Sequence, residues 1–369
     1  MKQGWVYKKL GDVAEISAGQ GAPQGEQNYC SNGTPFIKAG NLEDLVNGID
    51  ENSVQKVSQE VAQKHKLKLY KAGSVLFAKS GMSCMKGYVY TLKKDCYVVS
   101  HLAIIYPKSV NSNFLNYYLR QAKTYSLVKD AAYPSISLSD IALFPVPVPP
   151  VEKQKEICSL LDKLNRVIEA KKEQLKELDN LAQSLFYEMF GDPENNNKGW
   201  KTLALGDACT LKAGKSIKAS ELSETINGNL FPCYGGNGIR GYIDKFSHNI
   251  PLPIIGRQGA LCGNVNFAKA PFYATEHAVV VTPKTTIEVV WLYYVLKLMH
   301  LNQYAHGVAQ PGLSVQDIEP LPLIIPPHPL QQAFAEKVKA IERQKELINQ
   351  SIKDVQTLFD AKMDYYFGE

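Results

Sequence analysis

The chain is one unit written twice. Trp5–Gly19 reads WVYKKLGDVAEISAG and Trp200–Gly214 reads WKTLALGDACTLKAG. Trp5, Leu10, Gly11, Asp12 and Gly19 return as Trp200, Leu205, Gly206, Asp207 and Gly214, at an offset of 195. The middles drift, then lock again. Ser80-Gly81-Met82-Ser83-Cys84 is similar to Gln258-Gly259-Ala260-Leu261-Cys262 at an offset of 178. Ser100-His101 and Tyr117-Tyr118 match Glu276-His277 and Tyr293-Tyr294 at 176. The ends agree best, at 177: Pro134, Ser137, Asp140, Ile141, Pro145, Pro149, Pro150 and Gln154 return as Pro311, Ser314, Asp317, Ile318, Pro322, Pro326, Pro327 and Gln331. The same offset carries Phe190-Gly191 to Phe367-Gly368. The first copy is longer by about 18 residues, lost from the second between Gly19 and Ser80. Any fold proposed for one half must therefore serve for the other.

Each copy closes with a proline-ended stretch, FPVPVPP or LPLIIPP, followed (after His328-Pro329 in the second copy) by about 39 residues free of Pro and Gly. Proline suits a helix start, where its missing N–H would be unsatisfied anyway. Gly191 and Gly368 sit where helix-ending glycines belong. The spacing predicts helices over about Glu152–Phe190 and Leu330–Phe367. Apolar residues step by four and three: Ile157, Leu161, Leu164, Ile168, Leu175, Leu178, Ala182, Leu185 and Met189, interrupted by Lys171. The second series is Phe334, Val338, Ile341, Ile348, Ile352, Val355, Phe359 and Tyr366, interrupted by Lys345 and Lys362. Such a series with charged flanks is a coiled-coil seam. At 1.5 Å per residue each helix is about 58 Å long. Its stripe must be buried, and the other helix is the partner of equal length. Pairing is antiparallel if each helix leads away from its own domain, with the two domains at opposite ends of a rod. The alternative is that each helix packs only onto its own domain.

The expected fold class is α+β: two mixed α/β domains separated by two long antiparallel coiled-coil helices, related by an internal pseudo-twofold repeat. The segments are 1–151, 152–191, 192–328 and 329–369. Candidate strands in the first domain are Thr34–Lys38, Ser74–Lys79, Tyr88–Leu92, Leu102–Tyr106 and Ala142–Val148. The prolines of the last suit an edge strand or an extended connection. A helix near Asn113–Gln121 recurs near Ile287–Met299. Glycine-centred loops fill the rest. Residues 1–151 hold 17 Lys+Arg against 11 Asp+Glu, and residues 192–328 hold 11 against 10. Each helical segment is net −1. The basic excess thus lies on the globular parts, which fits nucleic-acid contact by the domains and protein contact by the helices.

Several chemistries are excluded. No run approaches the roughly 18 apolar residues of a membrane helix, and no leader pattern opens the chain, so a cytoplasmic address is expected. The seven cysteines form no CxxC pair and read as reduced small hydrophobes. No HxxxH or HExxH spacing marks a metal site. Ala213-Gly214-Lys215-Ser216 looks like the end of a phosphate loop, but the required glycine is Cys209. No dinucleotide turn or nucleophile elbow appears. Ser100-His101 and Glu276-His277 recur but read as hydrogen-bonded histidines at strand starts. No cofactor is expected.

The arrangement resembles the specificity subunits of type I restriction-modification systems, over essentially the whole chain. The resemblance rests on the W-x4-LGD openings at Trp5–Asp12 and Trp200–Asp207. It rests equally on the Ser-x2-Asp-Ile, proline strand, PP and Gln closings at Ser137–Gln154 and Ser314–Gln331, and on the Phe-Gly helix ends. It implies a non-catalytic subunit with two target-recognition domains, each reading half of a bipartite site in double-stranded DNA. The helices would dock two methyltransferase subunits, and restriction/translocase subunits would join. The rod length puts the half-sites within roughly 17 base pairs. Base readout calls for donors and acceptors on loops. The candidates are Lys38, Asn41, Lys79, Ser80, Lys86 and Tyr88 in the first domain. In the second they are Asn237, Arg240, Tyr242, Arg257, Gln258 and Gln310. The competing readings are a coiled-coil scaffold with two protein- or carbohydrate-binding domains, and the specificity subunit of a related system that cuts outside its site.

Overall fold

The two long stretches form helices of forty residues each, Val151–Phe190 and His328–Phe367, the second with Pro329 in its first turn, in a computed structural model that describes residues 4–226, 228–307 and 311–368. Ile157, Leu161, Ile168, Phe334, Val338, Ile341 and Phe359 are buried, and Leu164, Leu175, Leu178, Leu185, Ile348, Ile352 and Val355 half-buried. The interrupting lysines 171, 345 and 362 are half-buried too, so the period of the sequence is the period of burial.

The chain divides into two compact units. One runs to Ala170 and takes up the segment from Ile352; the other is Lys171–Ser351. Each unit therefore holds the start of one long helix and the end of the other. In the first, Ile157 and Leu161 share a core with Phe359, Met363 and Phe367. The Phe367 ring meets Phe114 edge-on at 5.3 Å. In the second, Ala182, Phe186 and Phe190 share a core with Phe334, Val338 and Ile341. Within each unit the two helix segments and the globular part share one apolar core.

The units repeat one sheet plan. In the first, Ala14–Ala18, Leu102–Pro107, Val75–Ala78 and Val89–Thr91 form an antiparallel sheet in that order. In the second the order is Cys209–Ala213, Ala278–Pro283, Leu252–Gly256 and Val265–Ala268. Val75–Ala78 and Leu252–Gly256 are buried at every residue, as their uninterrupted apolar runs require of strands covered on both faces. Helices Ser112–Gln121 and Val289–Leu298 pack on these sheets. A second, three-stranded sheet lies in each unit. It joins Lys56–Val57, Thr34–Ile37 and Tyr97–Val98 in the first, and Gly238–Ile243, Phe231–Gly235 and Tyr273–Ala274 in the second. The length difference falls here. The first unit leaves Thr34–Ile37 through the short helix Leu42–Val46 before pairing back. The second turns directly at Gly236-Asn237 into a hairpin.

The repeated residues have local tasks. The Gln154 amide donates to Pro149 O at 2.8 Å and accepts from Asn111 N at 2.8 Å; Gln331 does the same with Pro326 O and Glu288 N, at 2.8 and 2.9 Å. Each ties the proline strand to the start of a globular helix. A Cβ on Gly19 would lie 2.2 Å from Val99 O, and one on Gly214 2.0 Å from Ala274 O, so only glycine lets these backbones approach. One expectation needs correction. Ala142 and Leu143 end the helix Leu138–Leu143, which Ser137 caps by accepting from Asp140 N, and the strand is only Pro145–Val148. It pairs with Val6–Lys9 in a two-stranded ribbon, where a proline has one unpaired side to face. Six cysteines are buried, but Cys30 is exposed, contrary to its expected place as a packed hydrophobe.

Candidate nucleic-acid interface

Three segments meet at one point in each unit, joined by the same backbone bonds. In the first, Lys79 N donates to His101 O (2.9 Å), Ile136 N to Lys79 O (2.7 Å), and Gly81 N to Pro134 O (2.9 Å). In the second, Arg257 N donates to His277 O (3.1 Å), Leu313 N to Arg257 O (2.9 Å), and Gly259 N to Pro311 O (2.9 Å). The loop then closes through Cys84 N to Gly81 O and Cys262 N to Gly259 O, at 3.0 and 2.9 Å. Gly81 and Gly259 both take the left-handed conformation such a turn needs, with φ of +76° and +84°. The junction lies just beyond the central strand of the larger sheet. It gathers Lys79, Ser80 and His101 in one copy, and Arg257, Gln258 and His277 in the other. The two histidines, Pro134 and Pro311 were not among the residues expected to contact nucleic acid, although their recurrence marks them in the sequence.

The other first-unit candidates are already engaged. Lys38 Nζ donates to Gln55 Oε1 at 2.6 Å and lies 4.5 Å from the Tyr29 ring centre. Asn41 Oδ1 accepts from Lys38 N at 2.8 Å and so closes its own turn. Lys86 pairs with Glu43 at 2.8 Å. Hydrogen bonds from Lys86, then from Tyr88, hold the Glu43 carboxyl below the usual carboxylate range. Ser80 Oγ lies 2.8 Å from His101 Nδ1. Lys79 is different. It is half-buried, and its ammonium has no hydrogen bond or ion pair among the described residues.

In the second unit, Asn237, Arg240, Gln258 and His277 line an open cleft of about 500 Å³ floored by Gly235, Gly236 and Gly238. Asn237 Oδ1 accepts from Asn264 Nδ2 at 3.2 Å. His277 Nε2 lies 3.3 Å from Glu276 Oε1. The side chains of Arg240, Arg257 and Gln258 make no hydrogen bond or ion pair among the described residues, and Arg257 Nε is buried without a partner. Tyr242 is half-buried on the hairpin, where its backbone exchanges two bonds with Ser223. Gln310 lies outside the described residues. The free donors therefore cluster at the junction and the adjoining cleft, while most of the other candidates support the fold. Among the described residues no group of three or more His, Cys, Asp or Glu is placed to hold a metal ion, and no helix is long and apolar enough to cross a membrane.

Known proteins share this plan. An Escherichia coli chain, the type I restriction enzyme EcoprrI specificity subunit, is 47% identical over 127 residues, which are 34% of this chain and 32% of that one. The type I restriction enzyme MjaIX specificity subunit of Methanocaldococcus jannaschii is 24% identical over 93% of this chain and 89% of its own. Among solved structures, a type I restriction-modification S subunit from M. genitalium matches with a TM-score of 0.60 at 15% identity, covering 97% of this chain and 95% of that one. A chain from a structure describing complex assembly and conformational transition of the type I R-M system matches at 0.57 and 17% identity, covering 100% and 98%. Residues 2–180 and 197–357 each match the type I restriction modification DNA specificity domain, and the chain belongs to that family, as a recognition subunit and not a catalytic one.

Proposed function

We propose that residues 1–151 and 192–328 are target-recognition domains, each reading one half of an asymmetric bipartite site in double-stranded DNA. Residues 152–191 and 329–369 form the antiparallel coiled coil of a pseudo-twofold frame. That frame docks two methyltransferase subunits, and restriction subunits join the assembly in the cytoplasm. The observation that carries this reading is the pair of junctions. Their backbone bonds are the same in both copies, while the side chains they present differ, Lys79-Ser80 against Arg257-Gln258. One frame presenting two different sets of donors suits a site whose halves differ in sequence. The paired burial of the seam residues supports the coiled coil, since strict four-and-three spacing is what such pairing needs.

Domain exchange tests the reading. Residues 1–151 are replaced by the equivalent part of another family member, and the complex with its methyltransferase is assayed by methylome sequencing. One half of the methylated site should change and the other stay. A change in both halves, or in neither, refutes the two-reader arrangement.

A further inference from the structure

Lys79 and Arg257 occupy one position of the repeat, by sequence offset and by backbone bonding alike. Both follow the central buried strand, both are half-buried, and both lack an anionic partner among the described residues. Every other cation singled out in the first unit is taken, Lys38 by Gln55 and Tyr29, and Lys86 by Glu43. A half-buried cation with no protein partner keeps its donors available to an outside acceptor. The same arrangement recurs in both copies, in a loop whose glycine and cysteine recur with it.

We infer that Lys79 and Arg257 are the equivalent base-reading cations of the two domains, each set against a guanine in its own half-site. This rests on the DNA-recognition reading and adds the residue and the base. The chemistry selects guanine. Lys and Arg side chains are donors only. In the major groove guanine alone presents two adjacent acceptors, O6 and N7, whereas adenine sets a donor beside its N7. The position argues for base contact over phosphate contact. A phosphate contact is served by an exposed flexible cation, as in any surface lysine. Arg257 instead is half-buried with its Nε withdrawn from solvent, so it is not a fully exposed surface cation. The flanking Gly81 and Gly259 carry no side chain to keep a base edge away. The fork of Arg257 is suited to both acceptors at once, and the single ammonium of Lys79 is the less selective of the two.

The test uses the full chain assembled with its methyltransferase subunit, selected against a duplex library randomised across the site. Lys79→Met and Arg257→Met keep the aliphatic stem, so packing is preserved, and melting temperatures check it. Lys79→Met should lose roughly ten- to hundredfold of the preference for guanine at one pair of one half-site. Arg257→Met should do the same in the other half alone, and Arg257→Lys should retain part of the preference. Uniform weakening on all sequences with a shallower salt dependence would mark phosphate contacts and overturn the inference. A two-part wild-type preference untouched by either variant overturns the inference alone. A wild-type complex with no two-part preference removes the parent reading along with it.

Discussion

Gln331→Ala is the sharpest probe of the frame. Gln331 is 1% exposed and bridges two buried backbone groups, donating to Pro326 O and accepting from Glu288 N. Glu288 in turn caps the helix Val289–Leu298, its carboxylate accepting from Trp291 N at 2.9 Å. Trp291 is fully buried in the core that also holds Phe190 and Phe334. Truncation leaves a carbonyl and an N–H unpaired, at roughly 1–3 kcal/mol each. The expected loss is about 2–4 kcal/mol, because relaxation lets water reach part of the gap. For a unit of this size that lowers the melting temperature by roughly 5–15 °C. Differential scanning calorimetry reads it directly. Gln332→Ala, one residue on and exposed, is the control and should stay within about 0.5 kcal/mol of wild type. Gln154→Ala should repeat the effect in the first unit. The reasoning fails if Gln331→Ala matches its control, or if the two equivalent substitutions differ severalfold.

Two further predictions use positions where the copies part. The Tyr117 hydroxyl donates to Asp162 Oδ1 at 2.6 Å and accepts from Asn165 at 3.0 Å, and burial, then Asp162, pushes its titration well above the ordinary range. Tyr294, six residues past the cap Glu288 as Tyr117 is past the cap Asn111, makes no such bond among the described residues, so Tyr117→Phe should cost about 1–2 kcal/mol in a urea melt and Tyr294→Phe under about 0.5. Lys345, in the seam of the second unit, binds Asp179 at 2.7 Å and Glu342 at 2.8 Å. Burial alone would lower its pKa, but the bonds to Asp179 and Glu342 outweigh this and raise it. Its contribution is therefore full below about pH 10.4 and lost as pH rises through the higher folded value. The wild type should lose stability past that point more steeply than Lys345→Leu. The acidic partners are half exposed, so Asp179→Asn should cost about 1 kcal/mol or less.

Much of the fold was legible because punctuation and period agreed. Pro150 and Gly191 bracket the first long helix, and its limits lie within a residue of the expected ones. Buried strands such as Val75–Ala78 stand out as apolar runs. The helix Leu138–Leu143 was misread because its residues are apolar and lead straight into an alternating Val-Pro stretch, which is what an extended segment also looks like. The candidate interface was legible where the repeat spoke, at Ser80–Cys84 and its counterpart. Residue type alone does not reveal which side chains are already paired. Lys86 and Tyr88 have the right chemistry for DNA, but Glu43, far back in the chain, holds both. Pairings across such distances leave no local pattern in the sequence.

The exchange of helix ends between the units bears on how the protein is made. Phe359, Met363 and Phe367 complete the core of the first unit, yet they leave the ribosome only after the whole second unit has been translated. The first unit cannot close on synthesis, as an N-terminal domain usually does. Its apolar face stays open for the time needed to add those residues, and a chaperone or a waiting subunit has that interval to bind it. A truncated nascent product would expose the core of the part made first, which marks incomplete chains for proteolysis at the end opposite the break.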